Sequence, residues 1–234
     1  MTSRSTLRLF AAFLALCLVS APALAQVPLE LEVDLLEVHL GKGDDHLLFD
    51  STLTAGEGSN QFLLKLAGGS DTRTGFDDLE VQGLYSRSLS PSAQLHLGVR
   101  HDTRPGSDLT HGVAGLVVEL RPGLDAEHYF FVSQDGNLTG AAQLVWGLDI
   151  AADFVLEPRL ALGWSAQAIP GEDLGHGLTD IEASLRLRRS LGESLNAFAG
   201  VVHERLIGST RAIALTAGDP SRVTRAVVGL GLNF

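Results

Sequence analysis

The sequence predicts an all-β protein, a transmembrane antiparallel β-barrel of the outer-membrane type with about 12 strands. Three observations predict this fold. From residue 29 onward the apolar residues recur with a period of two, which is the period of a β-strand. Most alternating runs hold about ten residues or more, longer than strands of soluble sheets and long enough to cross a bilayer at a tilt. The last run ends on an aromatic residue, Phe234, as the closing strand of such barrels typically does.

The N-terminal residues predict export. Arg4 and Arg8 precede an apolar run over 9–19, and small residues follow at 23–25. This is the order of a secretory signal peptide, and the apolar run is too short for a helical membrane span. We therefore expect cleavage and localisation in the bacterial outer membrane. The predicted domains are a signal peptide, 1–25, and an outer-membrane β-barrel domain, 26–234.

Composition restricts the chemistry of the exported part. The single cysteine, Cys17, lies in the predicted signal peptide, so we expect neither disulfides nor thiolate metal sites. The formal net charge of the whole chain is −11, and removing Arg4 and Arg8 makes the rest more acidic still. This charge disfavours nucleic acid and anionic lipid headgroups as partners and favours cations.

The alternating runs place the strands. The connections after odd-numbered strands hold roughly 4 to 16 residues and the others about four or five, which matches long extracellular loops opposite short periplasmic turns. A secreted β-sandwich would also alternate, but the repeated full charges on the polar face and the smooth aliphatic face suit a barrel with a lipid-facing exterior and a wet or salt-bridged interior. The predicted strands, in chain order, are 29–40, 46–55, 60–67, 77–87, 92–102, 109–120, 125–133, 138–148, 154–166, 178–189, 195–205 and 222–234.

Charged residues on the polar faces are predicted to point into the lumen. Side chains can largely fill the interior of a barrel of this size, and opposite charges buried there need partners. The sequence leaves two alternatives open, a salt-bridged plug and a narrow polar path or metal site. Glu204 and Arg225 lie on neighbouring strands and are expected to meet. The predicted lumen charges are Glu80, Arg100, Asp102, Arg159, Asp180, Glu182, Arg186, Arg188, Glu204 and Arg225.

Histidines beside carboxylates form three candidate metal sites, because imidazole and carboxylate groups are ligands for metal cations. One lies in the lumen, and two lie in loops whose acidic residues also have an ordinary reading as solvated surface. His203 is expected instead on the lipid face, near a membrane edge. The candidate ligands are His96 with Asp102 in the lumen, His46 with Asp44 in the first outer loop, and His176 with Asp173 in the fifth.

From residue 84 onward the chain resembles the copper resistance protein B family of Gram-negative outer membranes. The order and spacing of several short phrases carry the resemblance, and residues 29–66 fit it more loosely. The phrases are 84–87 (LYSR), 90–91 (SP), 98–102 (GVRHD), 129–131 (YFF), 157–159 (EPR), 177–182 (GLTDIE), 185–188 (LRLR), 200–201 (GV), 204–205 (ER) and 227–230 (VVGL).

The resemblance implies an outer-membrane protein of copper resistance and homeostasis, with copper ions, the lipid bilayer and a periplasmic multicopper oxidase as partners. Family members often carry a Met- and His-rich segment before the barrel. Here a strand is predicted from Leu29 and Met1 is the only methionine, so we expect a barrel without that segment that binds copper at low stoichiometry. The alternative is a small passive pore or structural barrel. No spacing of Ser, His and Asp singles out a nucleophile with its base, so no enzyme is expected.

Overall fold

The computed structural model of the chain describes residues 27–41, 45–71, 75–103 and 108–234. These residues form long β-strands joined by short connections. The strands are β1 (Leu29–Gly41), β2 (His46–Glu57), β3 (Asn60–Asp71), β4 (Gly75–Ser90), β5 (Ala93–Thr103), β6 (Leu109–Arg121), β7 (Leu124–Ser133), β8 (Leu138–Trp146), β9 (Leu148–Ala151), β10 (Phe154–Ser165), β11 (Gly177–Ser190), β12 (Leu195–Leu206) and β13 (Arg222–Asn233).

The strands close into one antiparallel barrel. Apart from β8 and β9, each strand pairs with its neighbours in sequence, and β1 pairs with β13 to close the sheet. The short β9 continues β8 after Gly147, and both pair with β10, so they act as one interrupted strand. The barrel therefore has 12 strands, which confirms the predicted fold class. Phe234 follows β13, and its backbone exchanges hydrogen bonds of 2.7 and 2.9 Å with Leu31 of β1.

A β-bulge in β1 changes which residues face the lumen. The pairing of β1 shifts register between Val33 and Leu36 against β13, and between Val33 and Leu35 against β2. A bulge adds one residue and so reverses the phase of the side chains beyond it. Asp34, within the bulge, and Glu37, after it, both reach lumen partners. The sequence signal is the doublet Leu35-Leu36, where the alternation changes phase.

The two ends of the barrel differ. The connections after β2, β4, β6, β9 and β11 hold two to four residues each. Short turns of this kind identify this end as periplasmic. The opposite end carries a 3₁₀ helix, Pro170–Glu172, and an α-helix, α1, Gly208–Ala217. The sequence predicted only a long loop where α1 lies. No helix among the described residues is long and apolar enough to cross a membrane.

The outer face is aliphatic and the inner face is polar or packed. Leu97 and Val99 of β5 are exposed on the outside, while His96 and Asp102 of the same strand are buried inside. Such a surface is suited to contact with lipid, because exposure of a continuous apolar band to water is unfavourable. The lumen is therefore where the charged and hydrogen-bonding side chains meet.

Candidate functional site

The most deeply buried ion pair in the lumen joins β1 to β11. Arg186 donates from Nε and Nη2 to the two carboxylate oxygens of Glu37, at 3.0 and 2.8 Å. Both side chains are only 2% exposed. Arg186 also donates from Nη1 to Ser184 Oγ at 2.7 Å. A bidentate arginine–carboxylate pair of this kind fixes both side chains in one orientation.

Four more charges form a closed ring beside that pair. Arg159 lies 2.7 Å from Asp34 and 2.6 Å from Glu157. Arg188 lies 2.9 Å from the same Asp34 and 2.8 Å from the same Glu157. Each carboxylate thus bridges two guanidinium groups. We call this cluster the arginine wall; it comprises Asp34, Glu37, Glu157, Arg159, Arg186 and Arg188.

The facing side of the lumen holds a small buried apolar cluster among several buried polar side chains. Four buried side chains from β4, β6 and β7 pack together there, and we call them the aromatic wall: Leu84, Val113, Tyr129 and Phe131. The guanidinium of Arg100 lies 4.8 Å from the centre of the Phe131 ring. Arg100 also contacts Glu80 at 2.8 Å and Asp102 at 2.6 Å.

The predicted lumen pair His96 and Asp102 is engaged by other residues. A 2.8 Å hydrogen bond joins His96 Nδ1 to the Tyr129 hydroxyl, and His96 Nε2 lies 3.4 Å from Gln94 Oε1. Asp102 accepts two hydrogen bonds from Arg100 and lies 3.8 Å from His111. The two predicted ligands therefore have separate protein partners.

The two predicted loop sites lie at the extracellular end. His46 begins β2, but its predicted partner Asp44 lies outside the described residues. Asp173 ends the 3₁₀ helix with φ 53°, and the carbonyl of His176 accepts a 3.0 Å hydrogen bond from Ser209. Across the described parts of the chain, no group of three or more His, Cys, Asp or Glu side chains is arranged to hold a metal ion.

Sequence reasoning missed His39, which the bulge turns inward. His39 Nε2 donates to Glu37 Oε1 at 2.7 Å, and its side chain is buried. His39 is also the direct cross-strand partner of His46, so both imidazoles lie on the lumen side at the end of the β1–β2 hairpin. The phase change at Leu35-Leu36 is the signal that places His39 in the lumen.

The remaining predicted charges line the extracellular mouth. Arg225 lies 3.4 Å from Glu204, and Glu182 pairs in register with Glu204 on the next strand. Asp180 accepts a 2.7 Å hydrogen bond from Thr179. Beneath α1 these residues border a cavity of about 1180 Å³. No ion pair of Glu182 or Asp180 occurs within the described part of the chain, so the mouth carries excess negative charge.

Solved structures with this architecture are outer-membrane barrels. A KdgM porin in complex with disordered oligogalacturonate matches with a TM-score of 0.54 at 12% identity, covering 88% of this chain and 99% of that one. The NanC porin matches with a TM-score of 0.52 at 10% identity, with coverage of 88% and 99%. At such identities the likeness shows the fold alone: a barrel of the outer-membrane type.

The sequence identifies the family within that class. A family model described as Copper resistance protein B precursor (CopB) matches residues 28–234, and the chain belongs to this copper resistance protein B family. A Copper resistance protein B homolog from Pseudomonas syringae pv. tomato is 29% identical over 172 residues, 74% of this chain and 58% of that protein. Copper resistance protein B from Escherichia coli is 28% identical over 155 residues, 66% of this chain and 52% of that protein. The chain thus spans little more than half the length of these relatives.

Proposed function

We propose that this barrel serves copper homeostasis at the cell envelope as a non-enzymatic protein that binds copper ions, its cargo, at low stoichiometry. The observation that carries the proposal is the hydrogen bond from His39 to Glu37 at the mouth of the lumen, in a member of the copper resistance family. Export after cleavage of residues 1–25 and delivery to a periplasmic multicopper oxidase belong to the same proposal.

His39 is held as a metal ligand usually is. A ligating histidine typically donates its second ring N–H to a carboxylate, which fixes the tautomer and makes the other nitrogen a better ligand. His39 donates from Nε2 to Glu37, leaving Nδ1 for the metal. Glu37 is held in turn by the bidentate contact with Arg186. The imidazole is therefore oriented before any ion arrives.

His46 supplies the second imidazole. It lies directly opposite His39 across the β1–β2 pair, and the Cβ atoms of such a pair are about 5 Å apart. A copper ion needs ligand nitrogens at about 2 Å and favours imidazole, so two rings at this spacing can share one ion. Asp44, in the connection between the two histidines, is the proposed carboxylate ligand. His96 with Asp102 and His176 with Asp173 remain secondary proposals.

Charge at the mouth supports a cationic cargo. The neighbouring carboxylates Glu182 and Glu204 face each other in register, with Arg225 beside Glu204. A surplus of carboxylates in a low-dielectric cleft raises the local concentration of cations. The lumen mouth is thus suited to collect copper before the histidines bind it.

The test is copper stoichiometry in the folded protein. The barrel, purified in detergent, is dialysed against Cu(II), and the copper bound per protein is measured by elemental mass spectrometry. We expect about one or two ions for the wild type, as a His and carboxylate site without methionine implies. His39→Gln and His46→Gln should each remove one ion. The matched controls are His101→Gln and His203→Gln, which remove histidines hydrogen-bonded to Thr110 and Thr224 away from the lumen.

The outcomes separate the role from the residues. A wild type that retains no copper would contradict the copper role itself. Copper retained equally by His39→Gln, His46→Gln and the controls would contradict only the assigned ligands. N-terminal sequencing of envelope-purified protein tests the cleavage, with Gln26 as the expected first residue.

The second candidate function is a small passive pore, favoured by the porin-like architecture. A pore requires a continuous watery path, whereas the arginine wall and the aromatic wall fill much of the lumen with contacting side chains. Single-channel recording in planar bilayers decides between them. Stable conductance without copper binding would support the pore.

A further inference from the structure

Two arginines meet on the outer face at the extracellular end of β12 and β13. Arg205 and Arg222 are direct cross-strand partners, the last such pair before the loop that carries α1. Arg205 follows Glu204, whose carboxylate contacts the lumen residue Arg225. Because neighbouring residues of a strand point to opposite faces, Arg205 points out of the barrel. Both arginines are exposed.

Neither arginine has a carboxylate partner within the described residues. The ion pairs there include neither Arg205 nor Arg222, and Asp219, in the adjoining loop, does not pair with either. Like charges directly opposite on a sheet repel and destabilise it. Such a pair is therefore unfavourable by itself, and an anion that bridges the two guanidinium groups would relieve the repulsion.

The neighbouring residues set the height of the pair in the membrane. The next outward pair toward the periplasm is His203 and Thr224, joined by a 2.7 Å hydrogen bond. Below it the outer face becomes aliphatic, with exposed Val201 and Val228. The arginines thus stand two residues above the last polar pair, about 7 Å along the strand and about 5 Å along the normal of a tilted barrel. Lipid headgroups lie just beyond the hydrocarbon-facing band of such a barrel, so we infer that the arginines stand at their level.

We propose that Arg205 and Arg222 bind a phosphate group of an outer-leaflet lipid headgroup. Two guanidinium groups offer planar, bidentate donors that match phosphate oxygens. The lipid's acyl chains then lie along the aliphatic stripe below, so one molecule satisfies both surfaces. Net charge alone predicted against anionic headgroups; the register of β12 and β13 overrides it locally by bringing together arginines that are distant in sequence.

The test is lipid retention by the folded barrel in detergent, measured by native mass spectrometry. The probes are bisphosphorylated lipid A, the same lipid after removal of its phosphates, and inorganic phosphate. The variant is the double change Arg205→Gln with Arg222→Gln. The matched control is Arg87→Gln with Arg189→Gln, which removes two exposed arginines at the periplasmic end. A difference in gel mobility between the unheated and the boiled protein confirms that each variant is folded.

We expect the wild type and the control to retain phosphorylated lipid A and the double variant to lose about tenfold or more in affinity, because each lost charge-assisted hydrogen bond is worth about that factor. The thermal midpoint gives a second readout with opposite signs. Without lipid A the double variant should be at least as stable as wild type, because repulsion is relieved; with lipid A it should be less stable.

Three results would overturn the proposal. The first is equal retention of lipid A by the double variant and the wild type. The second is equal binding of phosphorylated and dephosphorylated lipid. The third is displacement of lipid A by an equal concentration of inorganic phosphate, which would make the site one for the free anion.

Discussion

The arginine wall and the aromatic wall fill the same lumen by different means. In the arginine wall, the contacts between β1 and the strands β10 and β11 join residues 125 to 154 positions apart, such as Arg159 with Asp34 and Arg188 with Asp34. The aromatic wall joins residues on β4, β6 and β7, which lie on one side of the barrel. Contacts of the first kind exist only after β1 has met β13. Contacts of the second kind need only a local sheet.

The energetics of the two walls differ as well. Burying an ion pair costs desolvation that its attraction only roughly repays, whereas breaking it leaves an uncompensated charge. Apolar packing contributes in proportion to buried area and fails gradually as atoms are removed. The arginine wall therefore specifies the closed barrel more than it stabilises it. The aromatic wall contributes to the free energy of unfolding through its buried apolar area.

The largest effect is expected in the arginine wall. Glu37→Gln removes the charge that neutralises Arg186, both of them 2% exposed, and should lower the free energy of unfolding by about 3–5 kcal/mol. The measurement is urea unfolding in detergent micelles. The control is Glu204→Gln, whose carboxylate is 41% exposed and should cost under about 1 kcal/mol.

A paired replacement sharpens the same comparison. Glu37→Met combined with Arg186→Met removes both charges and should recover much of the stability lost in the single variant. If the double variant is as unstable as Glu37→Gln, the Glu37–Arg186 ion pair contributes net stability of its own. The arginine wall would then not differ from the aromatic wall in its contribution to stability.

The aromatic wall should respond to lost volume. Leu84→Ala removes most of a side chain that is 2% exposed and should cost about 3 kcal/mol through lost burial and a cavity. Leu97→Ala on the outer face is the control; Leu97 is 45% exposed and faces lipid, so its truncation should cost less. Equal losses at both positions would show that the lumen cluster is not a packed core.

A smaller effect is expected from the hydrogen bond inside the aromatic wall. Tyr129→Phe keeps the ring but leaves His96 Nδ1 without the hydroxyl partner at 2.8 Å, at a cost of about 1–2 kcal/mol. Tyr85→Phe is the control, because the Tyr85 hydroxyl bonds to Asn60 on the surface and its loss should stay within about 0.5 kcal/mol. Unfolding midpoints of both variants check the difference.

The sequence predicts those parts of the fold that depend on local alternation. A period of two assigns both the strand and its faces, so Arg100 and Asp102 were placed together, and Glu204 and Arg225 were placed on adjoining strands. The helix α1 was missed because its ten residues, rich in small side chains, lack a strong apolar stripe, and isolated short helices depend on tertiary context.

The candidate site was less predictable for two physical reasons. The bulge in β1 reverses the phase, so simple alternation hides Glu37 and His39. Closure then decides which distant strands meet, and alternation carries no information about that step. His46 was identified from its acidic neighbours, but its partner His39 depends on the register of β1 and β2.

The last prediction concerns charges that share the lumen but not a wall. Arg100 lies on β5 beside Glu80 and Asp102, whereas Glu182 lies on β11 opposite Glu204, half the barrel away in strand order. With no shared partner among the described residues, Arg100→Gln and Glu182→Gln should destabilise additively, with a coupling under about 0.5 kcal/mol. Unfolding of both single variants and the double variant measures that coupling, and bilayer conductance of the same proteins should stay as low as in wild type. A larger coupling would mean that one network crosses the lumen and joins both walls. Near-wild-type stability with altered ion selectivity would instead favour the watery path of a pore, because a solvated charge costs little to remove and acts on passing ions.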